Sequence, residues 1–264
     1  MECRRCRMVY TAWEPTAGEL QAYYNNYPVT SETSPITLLR YDELLARFAK
    51  YRKAGHLLDA GCGSGHFLAR AMARGWKVHG TEFGDAQIAE CRAKGIPMSK
   101  AQVDPSAIPP GGFDVVCSFE VIEHVTHPQK ELDQLLAVLR PGGLLYMTTP
   151  NFNCLARRWA PETWNVVSYP EHLNYFTPRT LHKLLRSKGM RRAWLETTGF
   201  SVSRWKTGTS ESAAVRMNAQ QSQEALREKM ERSWYLNKGK HMANALLTAS
   251  GLGDSMKAAY AKPS

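Results

Sequence analysis

Long hydrophobic runs are missing from this sequence of 264 residues. No apolar stretch approaches the roughly 20 residues that cross a bilayer. The first ten residues, MECRRCRMVY, hold no apolar centre of the kind a secretory signal needs. Cysteine is sparse: Cys3, Cys6, Cys62, Cys91, Cys117 and Cys154 are mostly isolated in regular segments. That excludes a disulfide scaffold, and the thiols read as reduced, so a cytoplasmic location is expected. Acidic residues run short in one place. Residues 1–178 carry 18 Lys+Arg against 18 Asp+Glu, whereas residues 179–264 carry 16 against 6, so the net charge of +10 lies in the last third. Yet no five like charges are consecutive, and basic residues do not alternate with aromatics as on a nucleic-acid stacking platform. The excess reads as a solvated basic face, with an anionic acceptor as the competing reading.

What is present is an ordinary globular composition, 43% apolar and 22% charged, long enough for one or two domains with a core of their own. Residues 41–51 (YDELLARFAKY) form an amphipathic helix with Leu44, Leu45 and Phe48 on one face. From His56 the period changes. HLLDA, WKVHGTE, FDVVCSF and LLYMTT read as buried strands, and helices between them are closed by Gly75, Gly95 and Pro141, with Asp85 as an N-cap. Strands alternating with helices of this length argue for parallel βαβ units with both sheet faces covered. Residues 151–176 are too long for a simple connection, and loops of that length are usually functional. Thr177-Pro178 opens a further helix ended by Gly189, Leu226, Met230 and Trp234 repeat at helical spacing, and DSMKAAYAKPS reads as a last edge strand.

The sharpest feature is Leu57-Leu58-Asp59-Ala60-Gly61-Cys62-Gly63-Ser64-Gly65-His66-Phe67, between a strand and a helix. Alternate glycines let the backbone turn tightly and approach a ligand at contact distance. Glu82 follows 21 residues after Gly61, at the end of the next strand, where a carboxylate can accept both hydroxyls of a ribose. The spacing is G-x-G-x-G, with His66 where a dinucleotide fold wants its third glycine, and no G-K-[ST] follows. A nucleoside cofactor without phosphates fits better, and S-adenosylmethionine is one.

These residues, together with GGFDVVCSFEVIEHV, LRPGGLLYMTTPN and PEHLNYFTPRTLHKLLRSKGM, resemble class I S-adenosylmethionine-dependent methyltransferases, the broad group that includes quinone-precursor and sugar methyltransferases. The resemblance covers roughly residues 54–200. It implies an α/β, Rossmann-like sheet of seven strands, the last antiparallel, with helices on both faces. N-terminal helices and a helical insertion before the last strand complete that fold. The implied divisions are 1–54, 55–206 for the catalytic domain, 207–253 for the insertion and 254–264 for the final edge strand. It also implies roles. Asp59 and the loop of Gly61, Cys62, Gly63 and Gly65 would hold the methionine end, Glu82 the ribose, and Phe83 the adenine. Gln102 stands where the family usually has an acid for the adenine amino group, and its amide oxygen can still accept that bond. Val103 would add a backbone N–H, and Ser118 and Phe119 backbone carbonyls. Tyr24, in a stretch with Tyr23 and Tyr27, would lie over the sulfonium by cation–π attraction. Gly142 and Gly143 read as turn formers, and Asp114 as a residue that orients strand and loop.

Methyl transfer from a sulfonium is an in-line displacement in which alignment and water exclusion supply much of the rate. A general base is needed when the acceptor is a hydroxyl or weakly acidic carbon. Glu123 and His124 after the fourth strand, and His172 in the long loop, are the candidates, each also readable as a capping or loop-tying residue. Trp159, Trp164, Tyr169, Tyr175 and Phe176 read as a lid and wall of the acceptor pocket, or as packing. Cys3-x-x-Cys6 resembles the end of an N-terminal zinc ribbon, but zinc needs four ligands and one pair is present, so no metal is expected. Either the ribbon is lost or the sequence starts inside it. A small-molecule acceptor, no nucleic acid and a candidate homodimer complete the reading. A non-catalytic scaffold that keeps the fold is the alternative.

Overall fold

A computed structural model describes residues 1–16, 18–19, 33–164, 166–199 and 234–264. Tyr23, Tyr24, Tyr27, Leu226 and Met230 lie outside the described residues, as do positions 207–233 of the expected insertion.

The chain opens with a two-residue strand, β1 (Val9–Tyr10), and a helix, α1 (Pro35–Phe48). Ser34 caps α1 by accepting from the Thr37 N–H, and Pro35 occupies the first turn, where its lacking N–H is no loss. Leu45 and Phe48, three apart, share one face, and Phe48 is fully buried edge-on to Tyr146 at 5.4 Å. Full burial of such a side chain contributes about 1.5–3 kcal/mol. Residues 35–48 therefore belong to the body of the domain, not to a separate N-terminal segment.

Strands β2 (His56–Ala60), β3 (Lys77–Glu82), β4 (Met98–Lys100), β5 (Phe113–Phe119) and β6 (Leu139–Pro150) follow, with helices α2 (His66–Ala73), α3 (Asp85–Ala93) and α4 (Pro128–Val138) between them. After β6 come α5 (Leu155–Trp159), β7 (Asn174–Tyr175), α6 (Pro178–Ser187), β8 (Arg191–Thr198), α7 (Trp234–Ser250) and β9 (Ser255–Ala261). Seven strands pair in the order β4-β3-β2-β5-β6-β9-β8. The first five are mutually parallel, and β9 is antiparallel to both its neighbours, which is the expected sheet with its last strand reversed. Adjacent residues of β2 feed opposite cores: Leu58 packs with Leu132, Leu135 and Leu181, and Leu57 with Phe48, Phe67 and Leu68. Helices α4 and α6 thus cover one face and α1 and α2 the other.

Several boundaries differ from the sequence reading. The final strand is not at the edge: β9 inserts between β6 and β8, and Met256, Ala258 and Tyr260 face one core while Ala259 faces the other. Strand β4 is three residues after Pro97 with no alternation to announce it. Helix α4 stops at Val138 because Leu139 already pairs with Phe113, ahead of a register shift in the β5–β6 ladder. Gly84, not Asp85, is the N-cap of α3; Asp85 sits in its first turn, 2.7 Å from Lys100 Nζ. The glycine stops hold, with Gly75, Gly95 and Gly189 at φ of 79°, 75° and 77°.

Asp114 ties strand to loop as expected. Its Oδ2 accepts from the amides of Ala54 (2.9 Å), Gly55 (2.6 Å) and His56 (3.2 Å), and Arg140 Nε donates to Oδ1 at 2.5 Å. Burial alone would raise its pKa, but Arg140 and these amides hold it below the usual value. The chain runs outward from β2 to β3 and β4 on one side and returns to β5 on the other. A crevice opens at such a reversal, outside the carboxyl ends of β2 and β5. Among the described residues, no helix is long and apolar enough to cross a membrane.

Candidate functional site

The glycine loop leaves β2 at that crevice. Gly61, Gly63 and Gly65 have φ of 73°, 52° and 72°, a left-handed conformation that costs other residues free energy. Their surroundings differ. A Cβ on Gly61 would lie 2.6 Å from Val121, and one on Gly65 2.7 Å from Cys91 Sγ, whereas one on Gly63 would meet nothing within 4 Å. The loop is held from β3 and α3. Thr81 O accepts from the Gly61 (2.9 Å) and Cys62 (3.0 Å) amides, Cys91 Sγ donates to Gly63 O at 3.2 Å, and Lys94 Nζ donates to Ser64 O at 2.6 Å. The Cys62 thiol lies within 3.9 Å of both Cys91 Sγ and Met98 Sδ, and its hydrogen bond with Cys91 and its burial push its pKa up.

Glu82 closes the loop at the end of β3. Its Oε2 accepts from Gly63 N at 2.9 Å and its Oε1 from Phe83 N at 2.6 Å. The Gly84 amide adds a longer bond to Oε1 at 3.4 Å, and since a carboxylate has about four lone-pair sites, acceptor capacity remains on Oε2. Asp59, at the end of β2, is 2% exposed and its Oδ1 has no hydrogen-bond partner. Burial, reinforced by the Glu82 charge, raises its pKa well above the ordinary value. Ser118, at the end of β5, is buried with an unpartnered Oγ. Next to it Phe119 meets Phe67 edge-on at 5.0 Å, and Phe67 meets Tyr41 at 5.2 Å. Tyr41 also feels the Asp59 charge, which adds to burial in raising its pKa. Phe83 is 60% exposed, Gln102 is exposed, and Val103 packs against the first core.

The second cluster lies just beyond β5. Glu123 is 2% exposed and makes no close hydrogen bond through its carboxyl oxygens, which face the Thr149 and Glu120 side chains. Burial, then the neighbouring Glu120 charge, raises its pKa well above the ordinary value. His124 Nε2 is 3.9 Å from Glu123 Oε1, and the rings of His124 and His172 are 4.7 Å apart. His124 Nδ1 lies 2.8 Å from Glu171 O, and His172 Nδ1 2.6 Å from Val166 O. A carbonyl only accepts, so each of these Nδ1 atoms carries a proton. Burial and His172 lower the pKa of His124. Two loops are stitched together to bring this about: Leu173 and Asn174 amides donate to Glu123 O at 2.8 and 3.0 Å, and Asn174 Nδ2 donates to Val125 O at 2.6 Å. β7 in turn pairs with β1, Val9 opposite Tyr175, so residues at the start of the chain brace this side of the crevice.

A family model described as a methyltransferase domain matches residues 37–192. The chain belongs to this methyltransferase family. It is 32% identical over 157 residues to a ubiquinone biosynthesis O-methyltransferase of Pseudomonas paraeruginosa, covering 55% of this chain and 64% of that protein. The corresponding enzyme of Stutzerimonas stutzeri is 29% identical over 182 residues, covering 65% and 73%. The chain thus spans a little under two thirds of the length of the first of these relatives. Among solved structures, the cyclase SpnF aligns with a TM-score of 0.57 at 20% identity, over 95% of this chain and 98% of that one. A SAM-dependent methyltransferase from Archaeoglobus fulgidus aligns at 0.53 and 20%, over 85% and 93%. These two likenesses show the fold alone, and a cyclase among them shows why fold does not name the reaction.

In this member of the family, the structure brings Asp59, Gly61, Cys62, Gly63, Gly65 and Glu82 together at one strand-end crevice, with Ser118 and Phe119 across from them. It also gathers Glu123, His124 and His172, which are 49 positions apart in sequence at their extremes. Tyr24 falls outside the described residues. The aromatic wall divides: Trp164, Tyr175 and Phe176 are buried packing, while Trp159 and Tyr169 are exposed. Tyr41, Lys94 and Asn174 were not anticipated. Each acts across the fold on a residue at least 15 positions away, and spacing along the chain carries no sign of that.

Proposed function

We propose that this chain is an S-adenosylmethionine-dependent methyltransferase acting on a small molecule. The observation that carries it is the glycine cradle between Asp59 and Glu82. Three left-handed glycines leave open space above Gly63, flanked by an orphaned buried carboxyl oxygen on Asp59 and a carboxylate on Glu82 with lone pairs to spare. These residues fit the cofactor. Glu82 suits two ribose hydroxyls, Asp59 and the loop suit the charged methionine end, and the exposed Phe83 ring suits the adenine face. Gln102 and Val103 would add further adenine contacts. Ser118 and Phe119 offer carbonyls from the opposite strand end.

When bound, S-adenosylmethionine supplies a methyl group on a sulfonium, an electrophile that needs alignment more than activation. The protein's part is to hold the donor side rigid and to receive the acceptor proton. Glu123, His124 and His172 gather just beyond the carboxyl end of β5, where an imidazole would take the proton of an acceptor hydroxyl. The relatives named as ubiquinone biosynthesis O-methyltransferases support an oxygen acceptor, and the six free thiols support a cytoplasmic setting. The test is a crystal structure with S-adenosylhomocysteine at saturating concentration. Adenosyl density between Gly61 and Glu82 is expected, and an empty crevice there would overturn the reading.

A further inference from the structure

We propose that His79 and Ser99 are positioning residues for the adenine base: through the Asp104 amide they hold the turn at Ala101 that presents Gln102 and Val103. Their role rests on the adenosyl reading of the crevice and adds to it how the base is selected. The loop after β4 carries an unusual backbone. Ala101 has a φ of 62°, in the left-handed region that disfavours any residue with a side chain. The Gln102 N–H donates to Lys100 O at 2.7 Å, so the chain reverses in a three-residue turn with Ala101 at its centre. Turns of this kind with a positive φ are rare and strained. Ala101 is itself exposed, so its own packing does not hold it there. Strain persists where surrounding contacts over-determine it, and such sites cluster where ligands bind.

The contacts that do so lie on both sides of the turn. Upstream, Ala101 N donates to Glu82 O at 2.9 Å, which ties the turn to the candidate ribose acid. Downstream, the Asp104 amide donates to Ser99 Oγ at 3.1 Å, and that oxygen lies 2.8 Å from His79 Nε2. The Ser99 hydroxyl is thus bonded on both sides. Asp104 also caps the turn that follows, its Oδ1 accepting from Ser106 N at 2.8 Å and from Ser106 Oγ at 2.7 Å. Gln102 and Val103 are the two residues left between these anchors. His79 and Ser99 are buried on neighbouring strands, and the His79 ring lies 6.5 Å from that of Phe113. Burial lowers the pKa of His79, so the ring is uncharged at neutral pH. Apolar side chains would fill this space without the cost of burying two polar groups, whereas a bonded pair gives the loop one defined position. The amide oxygen of Gln102 accepts from the exocyclic amino group of adenine but not from a base with oxygen at that place, which offers no proton. Loosening the turn should therefore cost the choice of base more than it costs binding of the rest of the ligand.

The test is a calorimetric titration of the full chain with S-adenosylhomocysteine and with S-inosylhomocysteine, whose base carries oxygen in place of the amino group. The parent should prefer the adenosyl ligand about tenfold or more. Ser99→Ala and His79→Phe should each reduce that preference to within about threefold, by weakening the adenosyl ligand and leaving the inosyl ligand nearly unchanged. Adding Ala101→Gly to Ser99→Ala should recover part of the preference, because glycine takes the left-handed turn without the strain that the lost contacts opposed. Thermal melts show which variants are folded, and should one single variant fail to fold, the other decides. Equal affinity of the parent for the two ligands, loss of both ligands in equal measure, a preference unchanged in the variants, or no recovery with Ala101→Gly overturns the positioning role. In each of these cases adenosyl binding by the parent leaves the methyltransferase reading standing. Binding of neither ligand by the parent removes both.

Discussion

Gly63 and Gly65 share a left-handed backbone, at φ of 52° and 72°, but differ in what surrounds them, and that difference makes a sharp prediction. Placing a side chain in this conformation costs about 1–2 kcal/mol at either position. At Gly63 the cost stops there, because an added methyl would meet nothing within 4 Å. At Gly65 it would press on Cys91 Sγ at 2.7 Å and Ile96 Cδ1 at 2.8 Å, two buried groups. Overpacking of that kind adds about 1–3 kcal/mol. Thermal unfolding should therefore show Gly65→Ala losing roughly twice as much stability as Gly63→Ala, at about 2–4 °C of midpoint per kcal/mol. Ligand binding should rank them the other way. The open space above Gly63 is where the adenosyl ligand would sit, so Gly63→Ala should weaken S-adenosylhomocysteine about 10- to 100-fold by calorimetry, a loss of about 1–3 kcal/mol. Gly65→Ala, whose methyl points into the protein, should bind closer to the parent. Equal destabilisation by the two substitutions, or parental affinity in Gly63→Ala, would refute the reasoning.

Other perturbations follow from the same geometry. Replacing Asp114 by alanine strips three amides of their acceptor and leaves the mostly buried Arg140 guanidinium without its carboxylate, held by the Pro141 and Tyr51 carbonyls. A loss of about 3–5 kcal/mol is expected in denaturant unfolding, and a loss under 1 kcal/mol would contradict the role given to Asp114. Asp59 titrates high in the folded chain, because burial raises its pKa. Between the unfolded value of about 3.9 and the folded value, the folded state keeps a proton that the unfolded state has lost, so stability falls as pH rises. The Asp59→Asn variant lacks this titration. The stability of the parent relative to Asp59→Asn should thus decline from pH 4 to pH 7 in unfolding curves, and a constant or rising difference would count against it.

Much of the architecture is legible in the sequence because local signals and packing agree there. HLLDA ends in glycines whose left-handed turns are confirmed, and Thr177 caps α6 through a reciprocal bond with Thr180, as its position before Pro178 suggests. Legibility fails where distant pairing decides. Leu139 reads as helix by periodicity and becomes strand because Phe113 lies beside it. β9 reads as an edge because its sequence neighbours are helical, yet its place between β6 and β8 depends on two strands more than 50 residues upstream. The candidate cofactor side is compact in sequence, from Asp59 to Glu82, and so could be proposed from spacing. The acceptor side could only be named residue by residue. His172 meets His124 because Asn174 and β7 draw two loops together, an arrangement that involves Val9 and Tyr10 at the other end of the chain.

The central claim is that the cradle between Asp59 and Glu82 grips an adenosyl group, and the most direct measurement is a calorimetric titration of the chain and its Glu82→Gln variant with S-adenosylhomocysteine. Glutamine keeps the size of the side chain but gives up its charge and one acceptor oxygen. Saturable binding of one molecule per chain is predicted for the parent, weakened at least about tenfold in the variant, since a hydrogen bond to a charged group is worth about 1.5–3 kcal/mol. No heat of binding in the parent, or the same affinity in both, would contradict the account.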